Sequence, residues 1–222
     1  MKKGKHLRIL AIGAHADDIE LGCGGTIAKA IKSGHSVKMI IMTESAYTNY
    51  DGKVLRTAAE VTNEVKGAAK ALGVPLSDVT VLTFPNKDVP YDSSTVQTLN
   101  KILDDYRPDL ILTHWAFDTH QDHRNTALST ISAARYYNNI LMYEPFPPSG
   151  RSYVAYKPQI YTDISETMKE KIDSVKAHKS QVRKYGKLTW IDSIKGRASL
   201  RGFECGVKYA ETFEIVRYMQ DL

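Results

Sequence analysis

Cysteine is scarce in this sequence, which contains only Cys23 and Cys205 in 222 residues. Neither belongs to a CxxC pair, and two cysteines are too few for a disulfide framework. Both are expected to be reduced thiols, with Cys23 close to the functional site. A chain of this length can bury one substantial hydrophobic core.

Long apolar runs are also missing. No stretch approaches the roughly 20 residues needed to cross a bilayer. Lys2, Lys3 and Lys5 resemble the charged start of a signal peptide, but the apolar run after Arg8 is only about six residues long. We therefore predict a cytoplasmic protein with no membrane span.

Linkers rich in proline, glycine or serine are absent, as are repeats and low-complexity tracts, so a single domain over residues 1–222 is expected. The formal net charge is +5, but lysines and arginines are scattered among acids and form no basic aromatic motif. We expect no nucleic-acid partner. A weakly basic surface is the simplest interpretation, and attraction of an anionic small substrate is the alternative.

Apolar strands alternate with helical patterns along the chain. Strands are predicted at residues 9–14, 36–42, 79–84, 109–113, 140–143 and 160–162. Helices are predicted from Gly22 and Asp92, and over residues 55–72, 125–136, 165–184 and 197–210, with a mobile loop at 46–53. Such alternation implies parallel pairing with right-handed crossovers. The predicted fold class is therefore α/β, a three-layer α/β/α, Rossmann-like, doubly wound and mostly parallel sheet.

Histidines and carboxylates are concentrated after the first and fourth predicted strands. The first cluster reads His15-Ala16-Asp17-Asp18-Ile19-Glu20, and the second contains His114 and Asp118-Thr119-His120-Gln121-Asp122-His123. In the common strand order 3-2-1-4-5, strands 1 and 4 flank the point where the order reverses, and ligands bind outside their carboxyl ends. The two clusters are therefore predicted to form one metal site.

Three ligands drawn from histidine and carboxylate, with a fourth position open to water, are typical of a catalytic zinc site. We predict His15, Asp18 and His123 as the ligands. Adjacent residues of an extended backbone point in opposite directions, so Asp17 would face the substrate when Asp18 binds metal. Asp17 then becomes the candidate general base for water whose pKa the metal lowers.

Two neighbours complete the predicted site. His120, when protonated, would stabilise an oxyanion and then protonate a leaving amine. Asp122 would orient a histidine ligand from behind. Simpler interpretations exist for single residues: Asp18, Glu20 and Asp122 would complement helix dipoles, and His114 would be a packed histidine. The coincidence of two clusters favours the metal site, whereas three more histidines are expected to be structural: His6, His35 and His178.

The glycines near the first cluster permit a competing interpretation. Gly22, Gly24 and Gly25 precede a predicted helix, and Glu44 follows the second strand, which imitates a dinucleotide site. However, these glycines do not follow the strand directly, their spacing is not GxGxxG, and nearby carboxylates would repel a pyrophosphate. Close packing of the helix explains them better.

Both clusters resemble motifs of the PIG-L/LmbE family of zinc-dependent N-deacetylases. The family motif HPDDxExGxGGT is similar to residues 15–26, and its HxDH motif is similar to residues 120–123. Residues 64–73 resemble the family's helix ending in LG, residues 171–181 its Kx6HxSQ helix, and residues 209–213 its closing AExF segment. The likeness covers nearly the whole chain and implies the three-layer α/β fold.

Position by position, the resemblance implies the same roles as the residues alone: zinc ligands His15, Asp18 and His123, base Asp17 and second histidine His120. It also implies two substrate-binding residues. Arg56 lies where the family often keeps a substrate-binding arginine, and Asn86 replaces a frequent substrate-contacting aspartate. Ala16 stands in place of the usual proline, a change that removes no ligand.

The expected reaction is hydrolysis of the N-acetyl group of an amino sugar of the N-acetylglucosamine type, giving acetate and a free amine. The small-molecule partner is an amino sugar, with a nucleotide-linked form or another glycoconjugate left open. Zinc is the expected cofactor, although the ligand set also accepts iron, cobalt or manganese. Metal-dependent ester or phosphoester cleavage and non-catalytic sugar binding are the alternatives. The sequence leaves open whether the protein is a homo-oligomer.

Overall fold

A computed structural model describes residues 6–219. Within them the chain forms nine strands: β1 (Arg8–Gly13), β2 (Ser36–Thr43), β3 (Tyr47–Thr48), β4 (Val54–Arg56), β5 (Val79–Phe84), β6 (Leu110–Thr113), β7 (Ile140–Tyr143), β8 (Ile160–Asp163) and β9 (Ala210–Arg217). It also forms seven α-helices: α1 (Asp18–Lys32), α2 (Ala58–Leu72), α3 (Ser93–Tyr106), α4 (Gln121–Ala133), α5 (Met168–Ala177), α6 (Lys179–Tyr185) and α7 (Lys187–Cys205). None of the helices described combines the length and apolar character needed to span a membrane.

Seven strands form the main sheet in the order β5-β2-β1-β6-β7-β9-β8. The first five are parallel, and β9 and β8 join them in antiparallel pairing. These five parallel strands have the predicted 3-2-1-4-5 order, which confirms the doubly wound fold. Strands β3 and β4 form a separate antiparallel hairpin.

Helices cover both faces of the sheet. Ile19 and Ile27 of α1 pack with Val61 of α2 in one core on one face, while Leu99 and Leu103 of α3 belong to the second core. A third cluster joins α5 to α7. Strand β1 is buried along most of its length, as expected for a central parallel strand made of a continuous apolar run.

Close contact between α1 and its neighbours explains the glycines after the first cluster. A Cβ atom at Gly22 would lie 2.2 Å from a ring carbon of Tyr143, and one at Gly25 would lie 2.8 Å from the side chain of Ile164. Neither position could hold a larger side chain without displacing its neighbour. The packing interpretation of these glycines is therefore confirmed.

The helix bounds differ from the prediction at several places. Helix α1 begins at Asp18 instead of Gly22, with non-helical φ at Cys23, and α4 begins at Gln121 instead of residue 125. The predicted 46–53 loop contributes β3 to the hairpin. The first turn of α1 contains Asp18 and Glu20, and that of α4 contains Asp122. Acidic side chains interact favourably with the helix dipole at these positions.

Larger corrections concern the last third of the chain. The predicted helix 165–184 is interrupted at His178, because the Glu64 carboxylate accepts hydrogen bonds from the backbone and hydroxyl of Ser180 at 2.6 and 2.8 Å and caps α6. The final helix spans 187–205, not 197–210, because Gly206 ends it in a left-handed conformation. Strand β9 follows, between β7 and β8.

Candidate metal and active site

Three predicted ligands converge at the carboxyl ends of β1 and β6. His15 Nδ1 lies 3.2 Å from His123 Nε2. Asp18 Oδ2 lies 3.3 Å from His15 Nδ1, and Asp18 Oδ1 lies 3.3 Å from His123 Nε2. Ligand atoms held about 2.0–2.1 Å from a tetrahedral zinc ion are about 3.3 Å apart. The spacing of these donor atoms therefore fits a tetrahedral ion with one position left for water or substrate.

The outer nitrogen of each histidine is held by a carboxylate. His15 Nε2 donates to Asp122 Oδ2 at 2.9 Å, and His123 Nδ1 donates to Asp118 Oδ2 at 3.0 Å. With the protons on these outer nitrogens, the inner nitrogens present lone pairs to the centre. Such carboxylate–histidine pairs are typical of metal ligands.

Two further groupings of metal-binding residue types overlap this one: His15-His120-Asp122 and His114-Asp118-His123. In each of them the carboxylate is already engaged with the outer nitrogen of a histidine, so it supports the ligand instead of facing the centre. Asp122 was predicted in this orienting role. Asp118 was part of the second cluster, but it was assigned no role from the sequence. Its position five residues before His123 was the only sequence signal that it could support that histidine.

Carboxylates also dominate the electrostatics of the two ligand histidines. Burial alone would lower their pKa values, but the hydrogen bonds and charges of Asp122 and Asp18 raise the pKa of His15 to about 9. Asp18 and Asp118 raise the pKa of His123 to about 10 in the same way. The site is thus built to hold positive charge.

Asp17 occupies a strained position beside the ligands. It is the residue before α1, with φ of 135° and ψ of −19°, a region that non-glycine residues rarely adopt. Its carboxylate lines the cleft and makes no hydrogen bond within the described part of the chain. Burial, followed by the charge of Asp18, raises the pKa of Asp17 to about 6, which is suitable for a base near neutral pH.

His120 lies at the N-cap of α4. Its Nδ1 accepts the backbone N–H of Asp122 at 3.2 Å, so the proton of a neutral ring resides on Nε2. The ring packs against His15 and His123 with centroid distances of 4.9 and 4.6 Å. Burial and the adjacent histidines lower the pKa of His120 to about 4. These surroundings favour the neutral ring over the protonated ring that was expected.

His114 is buried behind the ligands. Its Nε2 lies 2.9 Å from the backbone nitrogen of Ala14 and 3.1 Å from Asp18 Oδ2, and its ring stacks on His123 with a centroid distance of 4.1 Å. Burial, with the nearby His123, lowers the pKa of His114 to about 4. These contacts agree with the packed and hydrogen-bonded role considered for it.

The two expected substrate-binding residues both line the cleft. Asn86 Nδ2 donates to the carbonyl of Ala46 at 3.1 Å. Arg56 is buried: its Nε and Nη2 donate to Glu64 at 3.1 and 2.8 Å, and Nη2 also donates to the Ala16 carbonyl at 3.1 Å. Arg56 therefore also holds the backbone immediately before Asp17.

The cleft above these residues has a volume of about 170 Å³. Its walls include the segment 145–149 and the aromatic side chains of Tyr47, Tyr143, Phe146, Tyr185 and Trp190. The segment is tied at one end by Arg197, which donates to the Pro145 carbonyl, and at the other by Gly150 N–H, which donates to Asp118. One wall of the cleft is thus anchored to a residue that also orients a ligand histidine.

Comparison with known proteins agrees with this geometry. The family model described as PIG-L, GlcNAc-PI de-N-acetylase, matches residues 10–134, which include both clusters. This chain belongs to the PIG-L family. The family resemblance expected from the two motifs is therefore confirmed.

Three named proteins are similar to this PIG-L chain over most of its length. The diacetylchitobiose deacetylase of Thermococcus kodakarensis is 27% identical, covering 94% of this chain and 83% of the relative. The uncharacterized deacetylase YaiS of Escherichia coli is 30% identical, covering 79% and 92%. The solved N,N'-diacetylchitobiose deacetylase of Pyrococcus horikoshii is similar with a TM-score of 0.80 and 26% identity, covering 94% and 83%. This PIG-L member therefore has relatives named as deacetylases at similar levels of identity.

Proposed function

We propose that this protein is a zinc-dependent N-deacetylase, which hydrolyses the N-acetyl group of an amino sugar of the N-acetylglucosamine type. The observation that carries the proposal is the set of inward-facing donor atoms of His15, Asp18 and His123 beside the unbonded carboxylate of Asp17. Deacetylases among the relatives support it.

Zinc would be held by His15 Nδ1, His123 Nε2 and the Asp18 carboxylate, with Asp122 and Asp118 keeping the rings in place. Bound there, the metal would lower the pKa of a water molecule towards about 7 and polarise the acetyl carbonyl. The rest of the chemistry belongs to side chains of the chain.

Asp17 acts as the base. Its carboxylate takes a proton from the water molecule as the water oxygen bonds to the acetyl carbon. The same proton then passes from Asp17 to the amide nitrogen while the C–N bond breaks. Acetate and a free amine are the products, so one water molecule is consumed for each amide bond cleaved.

His120 stabilises the negative charge that develops on the carbonyl oxygen. Since its Nδ1 accepts from the Asp122 amide, its Nε2–H is the group free to donate to that oxygen. The aromatic walls of the cleft would contact the sugar ring. Asn86 and the remaining Nη1 donor of Arg56 would contact its polar groups.

The proposal is tested by incubating the zinc-loaded protein with N-acetylated sugars and measuring primary amine and acetate. The parent should release both in equal amounts, whereas Asp17→Asn should lose at least about 100-fold in kcat while still binding zinc. Asp105→Asn, a change at an exposed position of α3, is the matched control and should keep full activity.

Other outcomes separate the alternatives. Ester or phosphoester cleavage would produce no amine, and a sugar-binding protein would give no product at all. Full activity of Asp17→Asn would overturn the assignment of the base.

A further inference from the structure

Two lysine side chains converge on one tyrosine at the cleft. Lys87 Nζ lies 5.5 Å from the ring centroid of Tyr47, and Lys184 Nζ lies 5.2 Å from the same centroid. Lys184 Nζ also lies 4.7 Å from the ring centroid of Tyr185. All four residues line the cleft, and both lysines are exposed to solvent. Two cationic groups thus lie beside one tyrosine ring at the solvent-exposed entrance of the cleft.

Neither ammonium group is neutralised. Within residues 6–219, Lys87 and Lys184 form no ion pair with an aspartate or glutamate, and Lys87 Nζ donates only to the Thr48 carbonyl at 3.4 Å. Two like charges beside one ring, with no acid to offset them, repel each other. An anion bound at this point would remove that repulsion.

Apart from Asp17, which lies beside the candidate metal ligands, other charged side chains of the cleft are paired. Arg56 Nη2 lies 2.8 Å from Glu64, and Glu144 lies 2.6 Å from Arg201. Asp118 is paired with His123 at 3.0 Å. The contrast identifies the two lysines as the unmatched positive charge at the cleft entrance.

Hydrogen bonds to the second cluster fix the backbone of Lys87 next to the candidate metal site. Its backbone N–H donates at 2.7 Å to Asp122 Oδ2, the oxygen that also accepts from His15. Its carbonyl accepts from Gln121 Nε2 at 2.8 Å, and its φ is 70°. A non-glycine residue keeps such a conformation only when its surroundings hold it there. Asp122 and Gln121 of the second cluster therefore determine where the Lys87 backbone lies relative to the candidate metal site.

We propose that the amino sugar carries a phosphate group, which Lys87 and Lys184 bind at the cleft entrance while the acetyl group lies at the metal site. The inference rests on the proposed deacetylase function and specifies its substrate class. Phosphate oxygens accept charge-assisted hydrogen bonds from several ammonium groups at once. A sugar 1-phosphate and a nucleoside diphosphate sugar present the same chemistry at this point.

The test compares three substrates at the zinc-loaded enzyme: N-acetylglucosamine 1-phosphate, UDP-N-acetylglucosamine and neutral N,N'-diacetylchitobiose. The parent should prefer at least one phosphorylated substrate by about tenfold or more in kcat/KM, a ratio that corresponds to one charge-assisted hydrogen bond. The preference should fall with added salt, because the lysines are exposed. The phosphorylated substrate with the higher kcat/KM shows whether the natural phosphate group belongs to a sugar 1-phosphate or to a nucleoside diphosphate sugar.

Lys87→Met and Lys184→Met should each raise KM for the phosphorylated substrates by about five- to tenfold, with a smaller change in kcat. The loss for neutral disaccharide should be at least about fivefold smaller than the loss for the phosphates. Lys101→Met on α3, where Lys101 faces Asp105, is the matched control and should behave like the parent on every substrate.

Two results would overturn the phosphate site while leaving the deacetylase function intact. In the first, the parent turns over the neutral disaccharide as well as or better than the phosphates. In the second, the lysine variants lose activity equally on all substrates. If no substrate releases an amine, the deacetylase function fails instead. Calorimetric titration with N-acetylglucosamine 1-phosphate then decides the phosphate site alone. Binding that weakens about fivefold or more in both lysine variants supports the site, and unchanged or absent binding refutes it.

Discussion

Asp122 and His15, 107 residues apart in the chain, are joined by a hydrogen bond of 2.9 Å between Oδ2 and Nε2. The same carboxylate accepts the backbone N–H groups of Lys87 at 2.7 Å and Val89 at 3.0 Å. One buried side chain therefore orients a candidate ligand and holds the segment that carries a lysine of the cleft.

Asp122→Asn should weaken zinc binding. Both Asp122 oxygens accept hydrogen bonds, so an amide group would place an N–H against a donor and remove the charge opposite His15. Loss of such a supporting carboxylate typically costs about 10–100-fold in metal affinity. Competition with a zinc chelator measures the zinc affinity of each variant. Asp105→Asn is the control. Equal zinc affinities in the parent and in Asp122→Asn would exclude the orienting role.

Removal of zinc should abolish amine release and lower the melting temperature. A ligand present at 100 times its Kd stabilises the native state by about 2.7 kcal/mol, which for a chain of this size is about 5–10 °C. Differential scanning fluorimetry with chelator and with added zinc measures the shift. His123→Ala should show almost none, and a shift as large as the parent's in that variant would place the zinc elsewhere.

Gly22→Ala should destabilise the fold. The added Cβ would lie 2.2 Å from the ring of Tyr143, whose hydroxyl donates to the Ile12 carbonyl at 3.0 Å. We expect a loss of about 1–3 kcal/mol in the free energy of unfolding, measured with urea. Gly196→Ala in α7 is the control. Apart from its chain neighbours and the backbone of its own helix, no atom of the described residues lies within 4 Å of the added Cβ, so helix propensity should raise the free energy of unfolding by up to about 1 kcal/mol.

The two thiols should differ in reactivity. Burial, together with the charge of Glu211, raises the pKa of Cys23 well above its usual value, whereas Cys205 is exposed. Because a raised pKa disfavours the reactive thiolate, only Cys205 should react with Ellman's reagent in the folded protein at pH 8. Unfolding should release the second thiol. Rapid reaction of folded Cys205→Ser would contradict the burial of Cys23.

The five parallel strands were predictable because each is a short segment rich in apolar and β-branched residues, bounded by polar residues or turns. The strand after α7 was not. Ala210–Arg217 lies between β7 and β8, and that pairing is formed with strands far away in the chain. The interruption at His178 was missed for the same reason, since the group that caps α6 is Glu64 of another helix.

The candidate ligands could be found from the sequence because neighbouring positions and strand order bring them together. Asp118 received no role, since its contact with His123 depends on the path of the chain between β6 and α4. The stacking of His114 on His123 likewise became visible only in the structure. Both contacts depend on side-chain direction, which a spacing pattern does not specify.

By itself, the sequence determined the chemical inventory and the layer architecture: two clusters of histidine and carboxylate, each following an apolar strand. Only the tertiary structure decided which nitrogen of His15 and of His123 faces the candidate metal position, and which carboxylates bind their outer nitrogens. It also decided that Lys87 and Lys184 both lie beside Tyr47. The physical reason is that local patterns specify backbone conformation and burial. Hydrogen bonds and unpaired charges between distant segments arise only after those segments have packed together.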